Sequence, residues 1–117
     1  MKQIRFYQII TAVCCLLLIS CGIDKNLKKG EKFLALGEYY DAADQFKQAY
    51  TKTPSKERAS RGKIALKMAR CYDKINSTPK AIAAYRNAVR YNQASIDDRL
   101  AYARLLLKNG EYKQAEK

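Results

Sequence analysis

The sequence has no histidine and no tryptophan. Without histidine it lacks the commonest general base, the commonest metal ligand and every triad built on an imidazole. Without tryptophan it lacks the usual surface for stacking a sugar ring. Cysteine is scarce where it would matter. The four cysteines are Cys14, Cys15, Cys21 and Cys71; the first two fall in an N-terminal segment that reads as a leader, and the third stands at its cut site. Cys71 alone remains, and one thiol makes neither an intrachain disulfide framework nor a cysteine metal site. It has no partner base and reads as a structural thiol beside Met68 and Tyr72. With no serine- or cysteine-centred motif either, the expectation is a non-enzyme with no cofactor and no metal.

Acidic residues are also few: 11 against 23 lysines and arginines, for a net charge of +12. All the acidic residues follow Cys21. Such a balance suits nucleic acid, anionic lipid or an acidic protein partner. A stacking platform for nucleic acid would need the nine tyrosines interleaved with basic residues on one exposed face. They are expected instead as core or groove aromatics, and an exported chain has no use for nucleic acid.

The export argument comes from the first 20 residues. Lys2 and Arg5 precede an apolar run from Ile9 to Ile19, which ends at Ser20-Cys21. A charged start, a short apolar stretch and a small residue before a cut site describe a signal peptide. The run is about half of the roughly 20 residues a spanning helix needs. The segment Leu18-Ile19-Ser20-Cys21 resembles a bacterial lipobox: an aliphatic residue, a tolerant position, a small residue and cysteine. That resemblance implies a diacylglyceryl thioether on Cys21 and cleavage before it. The competing reading is an ordinary secretory signal in which the cysteine has no role.

Beyond Cys21 the sequence repeats itself. A first stretch holds Gly30, Phe33, Gly37, Tyr39, Ala42, Phe46, Ala49, Tyr50 and Pro54. A second holds Ala69, Tyr72, Asn76, Ala81, Tyr85, Ala88 and Val89, each matched residue displaced by 39 from the first. A third holds Ala103, Leu106, Gly110, Tyr112 and Ala115, displaced by 34 from the second. Small residues such as Ala42, Ala49, Ala81 and Ala88 let helices approach closely, and Phe33, Phe46, Tyr72 and Tyr85 fill the space beside them. One helix pair cannot bury its whole apolar face alone, so neighbours must stack on it. Helices are expected near 24–36, 39–52, 56–75, 78–92 and 96–108, with a sixth beginning near 112. Gly37 and Gly110 suit left-handed helix ends. Ser77 or Thr78 before Pro79 reads as a helix start, as does Ser95 before Asp97 and Asp98. No strand-like alternation competes.

These residues resemble the tetratricopeptide signature, whose period is the 34-residue step; the 39-residue step is that period with five residues inserted between Pro54 and Gly62. The expectation is therefore an all-α, antiparallel helix-pair solenoid of about two and a half repeats. Residues 1–20 form the leader, 21–22 the anchor and tether, and 23–117 the repeats, divided as 23–56, 62–95 and an incomplete 96–117. The third repeat ends early, so Tyr102, Leu105 and Leu106 are expected to lack cover, and the chain reads as a fragment of a longer protein.

In this family the first helix of each repeat lines a concave groove. The resemblance carries that role to Asp24, Leu27, Glu31 and Leu34, to Lys63, Leu66, Arg70 and Lys74, and to Asp97, Leu100, Arg104 and Lys108. The last two groups are mainly basic with a leucine each, which suits an extended or helical peptide with acidic residues. The competing reading is of ordinary solvated helix faces. Leu27 and Glu31 stand where carboxylate-clamp members of the family carry other residues, and Glu31 would repel a terminal carboxylate. The run from Lys56 to Lys74 sets seven basic residues against Glu57 and Asp73, giving either headgroup attraction or a solvated face.

In overall plan the chain is similar to the N-terminal region of Bacteroidetes periplasmic lipoproteins that join such repeats to an OmpA-type domain. That resemblance implies an outer-membrane lipoprotein on the periplasmic side, with Gly22 after the anchor, acting as a scaffold for a protein partner in an envelope or secretion assembly. The alternative is a nutrient-uptake or glycan-handling lipoprotein built on helical repeats.

Overall fold

In a computed structural model the chain is all-α. The structure describes the backbone of residues 2–115 and the side chains of 5–11 and 22–110. Five helices run in order: α1 (Lys2–Ala35), α2 (Tyr39–Lys52), α3 (Arg58–Lys74), α4 (Thr78–Arg90) and α5 (Ile96–Ala115). No strand occurs among the described residues. Connections of three to five residues turn each helix back along the previous one, and each packs on its neighbour in sequence.

Two helical hairpins, α1–α2 and α3–α4, are built alike. At the end of α1, Gly37 adopts a left-handed φ of 74°, and at the end of α3 Asn76 adopts 59°. The hydrogen bonds around them correspond. Glu38 N donates to Phe33 O at 2.9 Å and Gly37 N to Leu34 O at 3.0 Å; Ser77 N donates to Tyr72 O at 2.9 Å and Asn76 N to Asp73 O at 3.1 Å. Both are six-to-one closures that satisfy the last carbonyls of a helix, and glycine or asparagine is the residue that tolerates the left-handed position. The core keeps the same register: Ala42, Phe46 and Ala49 of α2 are buried, as are Ala81, Tyr85 and Ala88 of α4. Phe46 is completely buried, and a large side chain fully removed from water contributes about 1.5–3 kcal/mol.

Polar contacts supplement this core. Asn26, buried on α1, donates to Gln45 Oε1 at 2.9 Å and accepts from Lys52 Nζ at 2.7 Å, so its amide is satisfied across the α1–α2 seam. The five extra residues between the hairpins are tied down by Arg61. Its Nη1 donates to Thr53 O at 2.8 Å, and its guanidinium lies 4.1 Å from the centre of the Tyr50 ring and 5.9 Å from that of Tyr91. Burial alone would lower the Arg61 pKa, but contact with the Tyr50 and Tyr91 side chains raises it.

Four expectations change. The helix expected from residue 24 begins at Lys2, so the apolar segment before Cys21 and the helix expected after it form one rod. Gly22 does not interrupt it, since a lone glycine costs a helix only about 1 kcal/mol. The side chain of Cys21 lies outside the described residues. α5 runs through Gly110 to Ala115, so the break and sixth helix expected near 112 are absent among the described residues. A β-carbon at Gly110 would meet nothing within 4 Å; no neighbour packs there to force the chain to turn. Tyr102 and Leu105 are covered, because α4 lies on them: Leu105 is buried and Tyr102 stacks on Tyr85 with ring centres 6.3 Å apart. Leu106 is exposed as expected. Finally, Tyr7 and Tyr40 stand in solvent rather than in a core or groove. Ser77 does start α4, with Pro79 in the first turn, but its hydroxyl makes no capping hydrogen bond. No helix among the described residues is long and apolar enough to cross a membrane.

Candidate partner-binding groove

α1 and α3 are both packed on α2, and an open groove runs between them. Its upper part, about 550 Å³, is lined by Ile23, Asp24, Leu27, Glu31, Lys63 and Lys67 together with Lys28, Glu57 and neighbouring residues. Its lower part, about 440 Å³, is lined by Glu31, Leu34, Tyr39, Lys67, Arg70 and Lys74. Glu31 and Lys67 belong to both parts and form an ion pair that bridges the groove between the two helices. Lys63, Lys67, Arg70 and Lys74 stand at helical spacing, so one face of α3 presents all four.

The candidates from sequence divide accordingly. Asp24, Leu27, Glu31, Leu34, Lys63, Arg70 and Lys74 meet in the groove. Leu66 is partly buried and packed on the core instead. Asp97, Leu100, Arg104 and Lys108 are exposed on α5 and line neither part. Lys67 was legible only as one charge in the basic run; its place opposite Glu31 depends on how α1 and α3 pack. Glu31 is held by Lys67, so its charge is largely matched and it offers less repulsion to an incoming carboxylate than its position suggests.

The expectation of a mainly basic lining also narrows. The upper part is balanced, with Asp24, Glu31 and Glu57 against Lys28, Lys63 and Lys67. The lower part is basic, with Lys67, Arg70 and Lys74 against Glu31. Arg70 is partly committed. It grips Asp98 on α5, with Nη2 3.0 and 3.2 Å from the two carboxylate oxygens and Nε 3.3 Å from Oδ1. Asp98 also accepts from Ser95 N at 3.0 Å and from Ser95 Oγ at 2.8 Å, while its own N–H donates to Ser95 Oγ at 3.2 Å. This reciprocal arrangement caps α5 and ties the Arg70 head to α5. Burial pushes the Asp98 pKa up, but the Ser95 bonds and the Arg70 charge outweigh it and hold the carboxyl below its usual value.

No family model, no curated protein and no solved structure matches the chain. The groove's chemistry is therefore read from its own residues. It has no group of three histidine, cysteine or carboxylate side chains among the described residues that could hold a metal ion. Cys71, completely buried behind the groove, has its thiol pushed up to about 11, by burial first and by the Glu31 charge second. What the groove offers is an apolar floor from Ile23, Leu27, Leu34 and Ile64, with ammonium and guanidinium groups along its lower wall. Apolar burial and charge pairing are the two kinds of contact that such a lining can make.

Proposed function

We propose that the chain is a tetratricopeptide-type repeat lipoprotein of the cell envelope, tethered through Cys21, and that its α1–α3 groove receives a protein segment carrying acidic residues. The observation that carries the repeat reading is the pair of hairpins displaced by 39 residues, with matching left-handed turns at Gly37 and Asn76 and matching core registers. The observation that carries the partner reading is the lower groove, where Lys74, in no ion pair among the described residues, stands beside the Lys67–Glu31 and Arg70–Asp98 pairs and leaves that wall net positive. In this reading the chain is a scaffold with no catalytic role, on the periplasmic side of an outer membrane. The resemblance of Leu18 to Cys21 to a lipobox supports the tether.

Affinity capture from an envelope extract tests the groove. Lys63→Glu combined with Lys74→Glu is expected to reduce partner recovery at least about tenfold, because each reversed charge at a desolvated contact costs more than about 1 kcal/mol. Arg104→Glu with Lys108→Glu, on α5 and outside the groove, is the matched control. Unchanged recovery with the first pair would remove the groove from the proposal. Metabolic labelling with palmitate tests the tether separately: label is expected in the wild type and lost in Cys21→Ala. Glycan binding by the full chain would support the nutrient-uptake alternative instead.

A further inference from the structure

Because successive helices run antiparallel, the connections sort onto two ends of the helix array. The beginning of the packed part of α1, the connection between α2 and α3, and the connection between α4 and α5 share one end; the turns at 36–38 and 75–77 share the other. α1 leaves the array at the first of these ends. Its residues 5–11 are exposed, and the molecule is 69 Å long but only 29 by 27 Å across. The segment that projects carries the apolar run from Ile9 to Ile19.

Charge is not divided evenly between the ends. Residues 22–28, 49–61 and 87–99, at the end where α1 projects, hold eight basic and four acidic side chains. One of those four, Asp98, is buried and held by Arg70. Residues 32–44, 71–83 and 105–110, towards the other end, hold four basic and four acidic side chains. Lys52, Lys56, Arg58 and Arg90 are exposed at the first end, and none of them is in an ion pair among the described residues. The two connections lie side by side, since Arg58 Nη2 reaches the Arg90 carbonyl at 3.5 Å and its guanidinium lies 5.2 Å from the centre of the Tyr91 ring; Lys56 precedes Arg58 at the same connection, while the Lys52 ammonium is given to Asn26. Ile96, 80% exposed, stands at the same end.

We propose that this end is a membrane-facing platform: Lys56, Arg58 and Arg90 rest on anionic phospholipid headgroups where α1 leaves the array, which is the membrane end both when the apolar residues before Cys21 stay in the bilayer and when they are cut off and an acyl chain on Cys21 takes their place. The basic run from Lys56 to Lys74 then has two jobs. Lys56 and Arg58 belong to the platform. Lys63, Lys67, Arg70 and Lys74 descend α3, and Lys74 lies about 24 Å below Arg58 at the helical rise. That is more than twice the screening length of about 8–10 Å at physiological salt, so the lower groove does not feel the surface and stays free for a partner. The platform does not require an acyl chain on Cys21, although one would tether the same end.

The test uses the full, unacylated chain with phosphatidylcholine vesicles, with and without about one-third phosphatidylglycerol. Neutral vesicles measure what the apolar segment contributes alone. The quantity read is the preference for anionic over neutral vesicles. Each basic residue at an anionic surface contributes about fivefold, so Lys56→Glu/Arg58→Glu/Arg90→Glu is expected to lower the preference at least about fiftyfold. The same charge change at the far end, Lys32→Glu/Lys74→Glu/Lys80→Glu, is expected to lower it less than about threefold. Equal losses from the two triples would mean that net charge alone acts, and no loss from either would mean that the surface is not read; both overturn the platform. Should the first triple fail to fold by circular dichroism, Lys56→Gln/Arg90→Gln, which removes no hydrogen-bonding side chain, serves in its place. Its expected loss is at least about fivefold, and an unchanged preference overturns the proposal. Because no acyl chain is present, the outcome is independent of the palmitate result.

Discussion

Gly30 on α1 lies directly against the Phe46 ring on α2: a β-carbon built on Gly30 would come within 2.5 Å of Phe46 Cε1 and 2.7 Å of Cδ1. The ring is completely buried and cannot move aside without opening the core around Ala42, Ala43 and Ala49. The matching position in the second hairpin is Ala69, which carries a β-carbon and is buried, as is Tyr85 at the position that matches Phe46.

Gly30→Ala is expected to destabilise the chain by about 1–3 kcal/mol, the usual cost of overpacking, even though alanine is the better helix former. Gly110→Ala is the opposite case. That glycine lies inside α5 with open space around it, so the change is expected to stabilise by about 0.5–1 kcal/mol through helix propensity alone. Thermal unfolding followed by circular dichroism reads both. A melting temperature unchanged in Gly30→Ala would mean that the α1–α2 spacing is looser than this contact requires.

Asp98 links a helix cap to the groove, and its contribution should depend on pH in one direction. Its carboxyl is held below the ordinary value of 3.8, because Ser95 and Arg70 outweigh the effect of burial. A carboxyl depressed in the folded state stabilises fully above its unfolded pKa, and that stability is lost as pH falls through the folded value. Asp98→Ala is expected to lose about 1–3 kcal/mol at neutral pH, and the gap from the wild type should close as pH falls below about 4. Urea unfolding across that range measures it; a gap that stays constant into acid would show that the ion pair and cap carry none of the difference.

Cys71 should be a poor nucleophile in the folded chain. Its thiol is pushed up to about 11 from 9.0, by burial first and then by the charge of Glu31, with Lys67 opposing. At pH 8 this cuts the thiolate fraction about a hundredfold. Alkylation of Cys71, followed by peptide mapping to separate it from the other cysteines, is expected to be at least about tenfold slower in the native chain than in urea. The sign for stability is the reverse of that for Asp98: a raised thiol pKa favours the folded state below about pH 9, and the advantage is lost as pH rises through about 11. Equal native and unfolded alkylation rates would place the thiol outside the core.

The sequence made the hairpins legible because both of their signals are local. Gly37 and Asn76 announce left-handed turns through backbone sterics, and Ala42, Phe46 and Ala49 repeat as Ala81, Tyr85 and Ala88 at a spacing that only helices satisfy. Gly110 misled for the same reason. A glycine permits a left-handed turn without requiring one, and no packing against Gly110 selects it. The groove was half legible. Helical spacing places Lys63, Arg70 and Lys74 on one face, but that spacing cannot say that Leu66 turns towards the core or that Arg104 and Lys108 stand apart from the cavity.

The chain's own order of residues determined an all-α array of paired helices, a core thiol at Cys71 and a strong positive charge without histidine. Those properties follow from propensity, periodicity and composition. Tertiary packing decided the rest. Glu31 and Lys67 are 36 residues apart in sequence, and Arg70 and Asp98 are 28 apart. Such pairs exist only because α2 holds α1 and α3 at one separation and α4 brings α5 back beside α3. The same packing divides one basic run between the end where α1 projects and the groove below it, because α3 descends from that end along α1, while the antiparallel return of α4 brings Arg90 back beside Arg58.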